Sequence, residues 1–224
     1  MTFLSQGIAV AVKDLRIELR AHHALGVVLP FAGTVLIAFG LSLGPDRTLL
    51  QHTAPGLLWL AVLFASVLSF RGTYDTEAED GAIEEVLLSP LDKGAYFLGK
   101  TAAVALQLLV LELAVVSLTV ALFDVSFGSN PALLVGSFGL GTVGLSAVGN
   151  LFGVLAASAH AREAVLPLLV LPVAIPVLIA GVKATTLAQT GHGAEVASWL
   201  SLLLVFDLIY LSVGSLLFGS LLED

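Results

Sequence analysis

The sequence predicts an all-α integral membrane protein with six transmembrane helices, an N-terminal interfacial amphipathic helix and a cytosolic helix between spans two and three. Of its 224 residues, 58% are hydrophobic and 12% are charged, whereas a soluble domain carries about 25% charged residues. The apolar runs are about 20 residues long, which is the length that a helix needs to cross the hydrocarbon core. They lack the alternation of a membrane barrel, so helices are favoured.

Composition also excludes several functional classes. The chain has no cysteine, which excludes disulfides, thiolate metal sites and cysteine catalysis. Its formal net charge of −8 argues against a nucleic acid partner. The five histidines do not have the spacing of a metal or haem ligand pair, and no serine has a recognisable base. We therefore expect no metal site and no catalytic residues.

Residues 3–20 predict an amphipathic helix that lies along the membrane surface. Its apolar residues recur on one helical face, and its cations cluster roughly opposite. The apolar face consists of Leu4, Ile8, Val12, Leu15 and Leu19. The cations are Lys13, Arg16 and Arg20.

Six spans follow within a single transmembrane domain, residues 1–224. They are predicted at about 23–43, 54–72, 99–123, 132–158, 164–182 and 197–220. With an even number of spans, seven of the nine cations share one side, and only Arg47 and Lys183 lie on the other. The excess of cations predicts that this side, with both termini, is cytosolic.

The longest hydrophilic interruption extends from Arg71 to Lys100. Six carboxylates occur within eleven of its residues, and such a block is solvated and requires a basic partner. The carboxylates are Asp75, Glu77, Glu79, Asp80, Glu84 and Glu85. Residues 73–98, which contain all six, form the predicted cytosolic coupling segment.

This acidic segment carries its own helix signals. Thr76 and Glu79 form a capping box, and Ile83 and Leu87 lie one turn apart on a single face. The helix is expected to end near Leu88. Ser89 is then expected to cap a second helix that has Pro90 first and Asp92 third. The segment is thus predicted to form a helix, a tight turn and a second helix.

A phosphate-loop pattern follows, because Gly94, Gly99, Lys100 and Thr101 fit GxxxxGK[ST]. That loop normally follows a buried strand in an α/β domain, whereas here an apolar span comes after it. We therefore expect no nucleotide to bind this chain. Lys100 is expected at the cytosolic mouth of span three, with its ammonium among lipid headgroups.

Two carboxylates fall near the middle of predicted spans. Glu112 lies in span three and Asp207 in span six, where a charge is costly, so each is expected to face protein or a polar cavity. Helix-to-helix hydrogen bonds, from Gln107 or from serines of span four, would be a structural role. Span four also contains Gly149 and Gly153, a GxxxG pair that permits close approach of helices.

The order of these parts resembles the type-2 ABC exporter permeases, which carry a similar sequence between spans two and three. The matching residues are Glu79, Asp80, Gly81, Glu84, Leu87, Leu88, Ser89, Pro90, Gly99 and Lys100. Within that class the chain is most similar to the cytochrome c maturation B subunits, also described as haem exporter B. That similarity lies in KDLRIELR, EDGAIEEVLLSPLDKGAYFLGK, GLGTVGLSAVGNLFG and LPLLVLPVAIPVLIAG, and it departs at the acidic C-terminus.

The resemblance implies a permease subunit of an ABC transporter in the bacterial inner membrane. It implies a separate cytosolic ATPase that holds ATP and Mg²⁺, further small membrane subunits and a second copy of this chain. Haem would be the handled ligand, delivered for cytochrome c maturation. The coupling helix would contact the ATPase through Glu79, Asp80, Gly81, Ile83, Glu84, Leu87, Leu88 and Pro90.

Two alternatives from other functional classes stay open on the sequence. One is a permease of the same type for a drug, a lipid or a polysaccharide. The other is an intramembrane enzyme that uses Glu112 and Asp207.

The cation distribution yields a prediction about topology. Both termini and Glu79 are expected in the cytosol, and Arg47 and Gly191 outside, because cations accumulate on the cytosolic side. Reporter fusions after Glu79, Gly191 and Asp224 would measure this. A reporter after Asp224 that is active only outside the cytosol would contradict the prediction.

Overall fold

The computed structural model describes residues 2–21, 24–79, 90–127, 130–157 and 162–223. Within these residues the chain forms seven α-helices and a π-helical turn, Ala24–Val28, that leads into the second helix. The helices are α1 (Phe3–Ala21), α2 (Leu29–Leu43), α3 (Arg47–Glu79), α4 (Lys93–Phe123), α5 (Pro131–Ala157), α6 (Arg162–Gln189) and α7 (Gly193–Glu223).

Six of the helical segments are long and apolar enough to cross a membrane. They are Gly26–Leu43, Arg47–Phe70, Lys93–Phe123, Pro131–Ala156, Val165–Gln189 and Gly193–Leu221. The predicted all-α membrane fold is therefore confirmed, and the described residues contain no strand. Helix α6 stays continuous across its three prolines.

The predicted helix start at Thr76 is wrong. Helix α3 continues without interruption from Arg47 to Glu79, so Thr76 and Glu79 belong to the end of a long helix rather than to the cap of a new one. The physical reason is that extending an existing helix adds a hydrogen bond per residue, whereas a new helix requires costly nucleation. Residues 80–89, which contain the rest of the predicted coupling helix, lie outside the described residues.

The predicted start of the next helix is also corrected. Helix α4 begins at Lys93, and its N-cap is Asp92, whose side chain accepts a hydrogen bond from the Ala95 N–H at 3.0 Å. Asp92 was expected inside a helix that begins at Pro90. Its extended backbone and short carboxylate suit the cap position instead, and Pro90 lies before the helix in an exposed bend.

Helix α5 lies at the centre of the bundle and contacts α3, α4, α6 and α7. Lipid tails are as apolar as leucine, so membrane helices associate through close packing and interhelical hydrogen bonds rather than through the hydrophobic effect. The glycines of α5 serve this packing because they leave room for large side chains of neighbouring helices. This arrangement builds the core of the bundle around α5.

The fully buried Trp59 of α3 shows how this works. A Cβ atom added at Gly141 of α5 would overlap the Trp59 ring, and one added at Gly181 of α6 would lie 2.6 Å from it. The indole N–H donates a hydrogen bond to Thr185 Oγ1 at 2.9 Å. The ring also stacks on Phe138, with 5.6 Å between centroids. Trp59 thus joins α3, α5 and α6.

Gly149, which was expected to permit close approach of helices, has a similar role. The ring of Phe70 from α3 occupies the space that a Cβ of Gly149 would fill. On α7, Gly214 accommodates the ring of Phe97 from α4 in the same way. These glycines therefore receive aromatic rings.

Contacts between helix ends support the prediction that successive connections alternate between the two ends of the bundle. At one end of the bundle, Arg47 Nη1 lies 3.0 Å from Asp124 Oδ2, which joins the α2–α3 and α4–α5 connections. At the other end, the Asp92 N–H donates to Gln6 Oε1 at 3.0 Å. The start of α4 therefore lies beside the N-terminal helix, as expected when two spans, α2 and α3, separate them.

The Trp59 contact generates a prediction about stability that compares two glycine-to-alanine variants. Gly141→Ala is expected to lower the free energy of unfolding by about 1–3 kcal/mol, because the added methyl overlaps a ring that is held on three sides. Gly139→Ala is the control, since a Cβ there meets nothing within 4 Å. Both variants make the same change in helix propensity. Thermal unfolding in detergent would compare them, and equal stability of the two variants would contradict the prediction.

Candidate functional site

The predicted contact segment leaves the membrane domain through α3. The apolar part of this helix ends at Phe70, and the helix continues for nine more residues, 71–79. At about 1.5 Å per residue, this extension is about 13 Å long. Of the predicted contact residues, Glu79 ends the helix and Pro90 is exposed, while Asp80, Gly81, Ile83, Glu84, Leu87 and Leu88 lie outside the described residues.

The chain returns to the bundle at the first two turns of α4, where the phosphate-loop pattern lies. All residues from Gly94 to Thr101 are helical. A Cβ at Gly94 would lie 2.9 Å from the carbonyl oxygen of Ser215 on α7. A Cβ at Gly99 would overlap the backbone of Gly7 on α1. The two glycines of the pattern therefore permit close contact with two different helices.

The other two residues of the pattern are buried and make polar contacts. Lys100 is 0% exposed, and its Nζ lies 3.5 Å from Asp14 Oδ2 on α1. Thr101 Oγ1 accepts a hydrogen bond from Asn150 Nδ2 on α5 at 3.1 Å. We call Gly94, Gly99, Lys100 and Thr101 the α4 junction, because together they contact α1, α5 and α7. Helix packing accounts for the spacing that resembles a phosphate loop.

The expectation for Lys100 is therefore wrong. Its ammonium lies inside the protein, not among headgroups, because Asp14 supplies a negative charge there. Asp14 is itself 8% exposed and also pairs with Lys13 at 3.0 Å. The Tyr96 ring lies under both ammonium groups, with 5.8 Å from its centroid to Lys100 Nζ and 6.0 Å to Lys13 Nζ. This cluster attaches α1 to α4.

Helix α1 presents three faces. Gly7 and Asp14 contact α4, as described above. The predicted apolar face points away from the protein, since Leu4, Ile8 and Leu19 are 75%, 64% and 71% exposed. Arg16 and Arg20 are exposed as well. An exposed apolar face beside exposed cations is typical of a helix at a membrane surface, and that location stays a prediction.

Glu112 is buried, as the sequence predicted, with 2% of its surface exposed. Thr142 of α5 donates a hydrogen bond to its Oε2 at 2.7 Å. The expected partners were Gln107 or serines of span four, so the predicted kind of bond is present with a different residue. The second oxygen, Oε1, has no hydrogen-bond partner among the described residues.

Asp207 of α7 is 3% exposed. Neither of its carboxyl oxygens has a hydrogen-bond partner within the described part of the chain. It packs against α5 at Gly144, where a Cβ would lie 2.6 Å from Oδ1. Gly144 thus makes room for a carboxyl group in the middle of the bundle.

The two carboxyl groups lie on different sides of α5. Glu112 contacts Thr142, and Asp207 packs against Gly144, two residues along the same helix. Residues two apart project about 200° apart around a helix. This geometry does not give the closely paired carboxyl groups that acid and base catalysis at one atom would require.

Several of these residues carried no clear signal in the sequence. Asp14 lies among the cations of an amphipathic helix, and Asn150 and Thr185 lie in apolar runs. Their roles depend on residues of distant helices: Lys100 for Asp14, Thr101 for Asn150 and Trp59 for Thr185. The one available hint for Asp14 was a carboxylate beside the cations of this helix, and Glu18 shares that feature.

The fold and its buried polar groups define a multi-pass α-helical membrane protein with an amphipathic helix attached to its third span. The family model described as CcmB protein matches residues 6–223 of the chain. The chain belongs to this family, as the resemblance in the acidic segment and spans four and five predicted.

Individual relatives are similar over nearly the whole chain. A heme exporter protein B of Pseudomonas aeruginosa is 34% identical over 211 residues, which cover 90% of this chain and 92% of the relative. One of Bradyrhizobium diazoefficiens is 32% identical over 218 residues, covering 96% and 94%. One of Paracoccus denitrificans is 32% identical over 190 residues, covering 82% and 84%.

The buried ion pair yields a prediction about stability. Lys100→Met is expected to lower the free energy of unfolding by about 3 kcal/mol or more, because it leaves Asp14 buried without its buried partner. The double variant Lys100→Met with Asp14→Leu is expected to recover much of this loss, since it removes both charges. Thermal unfolding of the two single variants and the double variant would measure the coupling. Additive effects would contradict a direct Lys100–Asp14 interaction.

Proposed function

We propose that the chain is the permease subunit of an ABC transporter complex that handles haem for cytochrome c maturation. Membership of the CcmB family carries this proposal, together with similarity to proteins named heme exporter protein B. The chain works as a transporter membrane subunit rather than as an enzyme, and ATP is hydrolysed by a partner. Haem is the handled substrate.

The energy enters through the segment between α3 and α4. A membrane chain that binds no nucleotide needs an external energy source to do work, and this acidic segment is the largest hydrophilic stretch of the sequence. The extension of α3 about 13 Å beyond Phe70 supports this proposal, because it carries the chain past the apolar span. A cytosolic ATPase can reach it there.

The α4 junction supports the second half of this proposal. The segment re-enters the bundle at Asp92, whose N–H is bonded to Gln6 of α1. Two residues later, Gly94 packs against α7, and about two turns after Asp92, Gly99 and Lys100 pack against α1. A displacement of the segment would therefore be transmitted to α1, α4 and α7 together, because close backbone contacts leave little room for one helix to move alone.

The contact with the ATPase is proposed to follow the sequence pattern. Ile83 and Leu87 are the apolar anchors, and Gly81 permits close approach. The carboxylates Glu79, Asp80 and Glu84, at the rim, meet basic groups of the partner. Apolar anchors in packed interfaces contribute most of the binding energy, while rim charges contribute less and respond to salt.

Membership of the family supports the remaining composition that is proposed for the complex. A second copy of this chain and further small membrane subunits complete the membrane part, and ATP and Mg²⁺ are held by the cytosolic ATPase. The complex lies in the bacterial inner membrane, with both termini of this chain in the cytoplasm. The excess of cations at the end of the bundle that holds Asp92 agrees with that orientation.

The anchors give a direct test. Ile83→Ala combined with Leu87→Ala is expected to release the ATPase from membranes and to stop holocytochrome c formation, while b-type cytochromes stay normal. Truncating a buried anchor costs on the order of 2 kcal/mol, which corresponds to about a thirtyfold loss of affinity per residue. Co-purification of the ATPase and haem staining of membrane proteins would measure the two effects.

Glu85→Ala is the matched control, because position 85 projects away from the side of a helix that carries Ile83 and Leu87. It is expected to leave both measurements near normal. Loss of the ATPase with normal cytochrome c would contradict the haem assignment and leave the docking site standing. Retention of the ATPase by the double variant would contradict the docking site.

A further inference from the structure

A groove of about 350 Å³ lies between α4 and α5. Residues 109–116 of α4 and 131–138 of α5 form its walls, about two turns of each helix. Its rim is exposed, since Leu113 and Val135 are 69% and 71% exposed. The groove extends from the middle of α4 toward the end of the bundle that carries Asp124.

One lining residue is not apolar. Glu112 lies in the wall of this groove, and its Oε1 is the carboxyl oxygen for which the described residues provide no hydrogen bond. An unsatisfied polar atom at membrane depth is costly, because neither lipid tails nor water can bond to it there. The groove therefore combines an apolar surface with one carboxyl oxygen that lacks a hydrogen-bond partner among the described residues.

We propose that this groove receives a transmembrane helix of a different subunit, which places a polar side chain against Glu112 Oε1. The proposal rests on the proposed function only for the presence of other membrane subunits. Apolar residues of the incoming helix would fill the groove beside Leu113 and Val135. A single polar side chain among them would complete the hydrogen bonding of Glu112, which Thr142 satisfies at the other oxygen.

Complementarity favours a different subunit over the other occupants. A symmetric dimer formed through this face would bring Glu112 against its own copy, and two ionised carboxylates have no donor to offer one another. An acyl chain fits the apolar walls and has no group that can bond to Oε1. A helix with a serine, threonine, asparagine or glutamine satisfies both features, as such side chains do between membrane helices.

The test uses a photoreactive amino acid, benzoylphenylalanine, placed at Leu113 and separately at Val135 of the full chain in native membranes. Both positions are expected to crosslink to one other membrane protein, and mass spectrometry should map the adduct to a transmembrane segment with a polar residue. Leu168 on α6 is the control position, because it is exposed to the same degree, 72%, on another helix. It should not give that adduct.

Variants at Glu112 test the polar contact. Glu112→Leu is expected to lower the yield of the Leu113 adduct about three- to tenfold, the effect of one interhelical hydrogen bond in a membrane. Glu112→Gln should retain the adduct, because an amide keeps a donor and an acceptor at the same position. Val135→Trp should also lower the yield, since it obstructs the groove at an exposed position and leaves Glu112 intact.

The outcomes separate the possible occupants. Adducts solely with a second copy of this chain, or solely with lipid, would overturn the proposal. So would a Leu113 adduct whose yield is unchanged in both Glu112→Leu and Val135→Trp. The ATPase measurement on the Ile83 and Leu87 variant is independent of the crosslinking measurement. The groove proposal can therefore be upheld when the proposed function fails, and the proposed function can be upheld when the groove proposal fails.

Discussion

Close contact between the backbones of α1 and α4, at Gly7 and Gly99, is the constraint on which the end of the bundle that holds Asp92 depends. Any side chain on Gly99 would push the two helices apart. With the helices in contact, Lys100 reaches Asp14, and the Asp92 N–H reaches Gln6. The amphipathic helix is therefore a part of the packed bundle, and its predicted place at the membrane surface concerns its other, exposed faces.

In this arrangement the predicted coupling segment leaves the bundle at one defined helix and re-enters it at another. It leaves on the extended helix α3, beyond the apolar span, and it returns at a capped helix start that contacts α1 and α7. The return belongs to the packed bundle, because the Asp92 N–H bonds to Gln6 and Gly94 lies against Ser215.

The bundle core illustrates how membrane helices associate without the hydrophobic effect. Space left by glycines of α5, α6 and α7 is filled by Trp59, Phe70 and Phe97 of other helices. Polar contacts are few and specific, such as Thr142 with Glu112 on one side of α5. The carboxyl groups of Glu112 and Asp207 lie on different sides of that helix, one against Thr142 and the other against Gly144.

The sequence by itself determined the all-α class, six spans, the amphipathic first helix and the burial of Glu112 and Asp207. These features follow from hydropathy and helical period, which are local properties of the chain. Only the tertiary structure decided that α3 continues through Thr76, that Asp92 caps α4 and that Lys100 is buried against Asp14. Those outcomes depend on which helix faces which, and residues such as Asp14 and Lys100, 86 positions apart, carry no local sign of their partner.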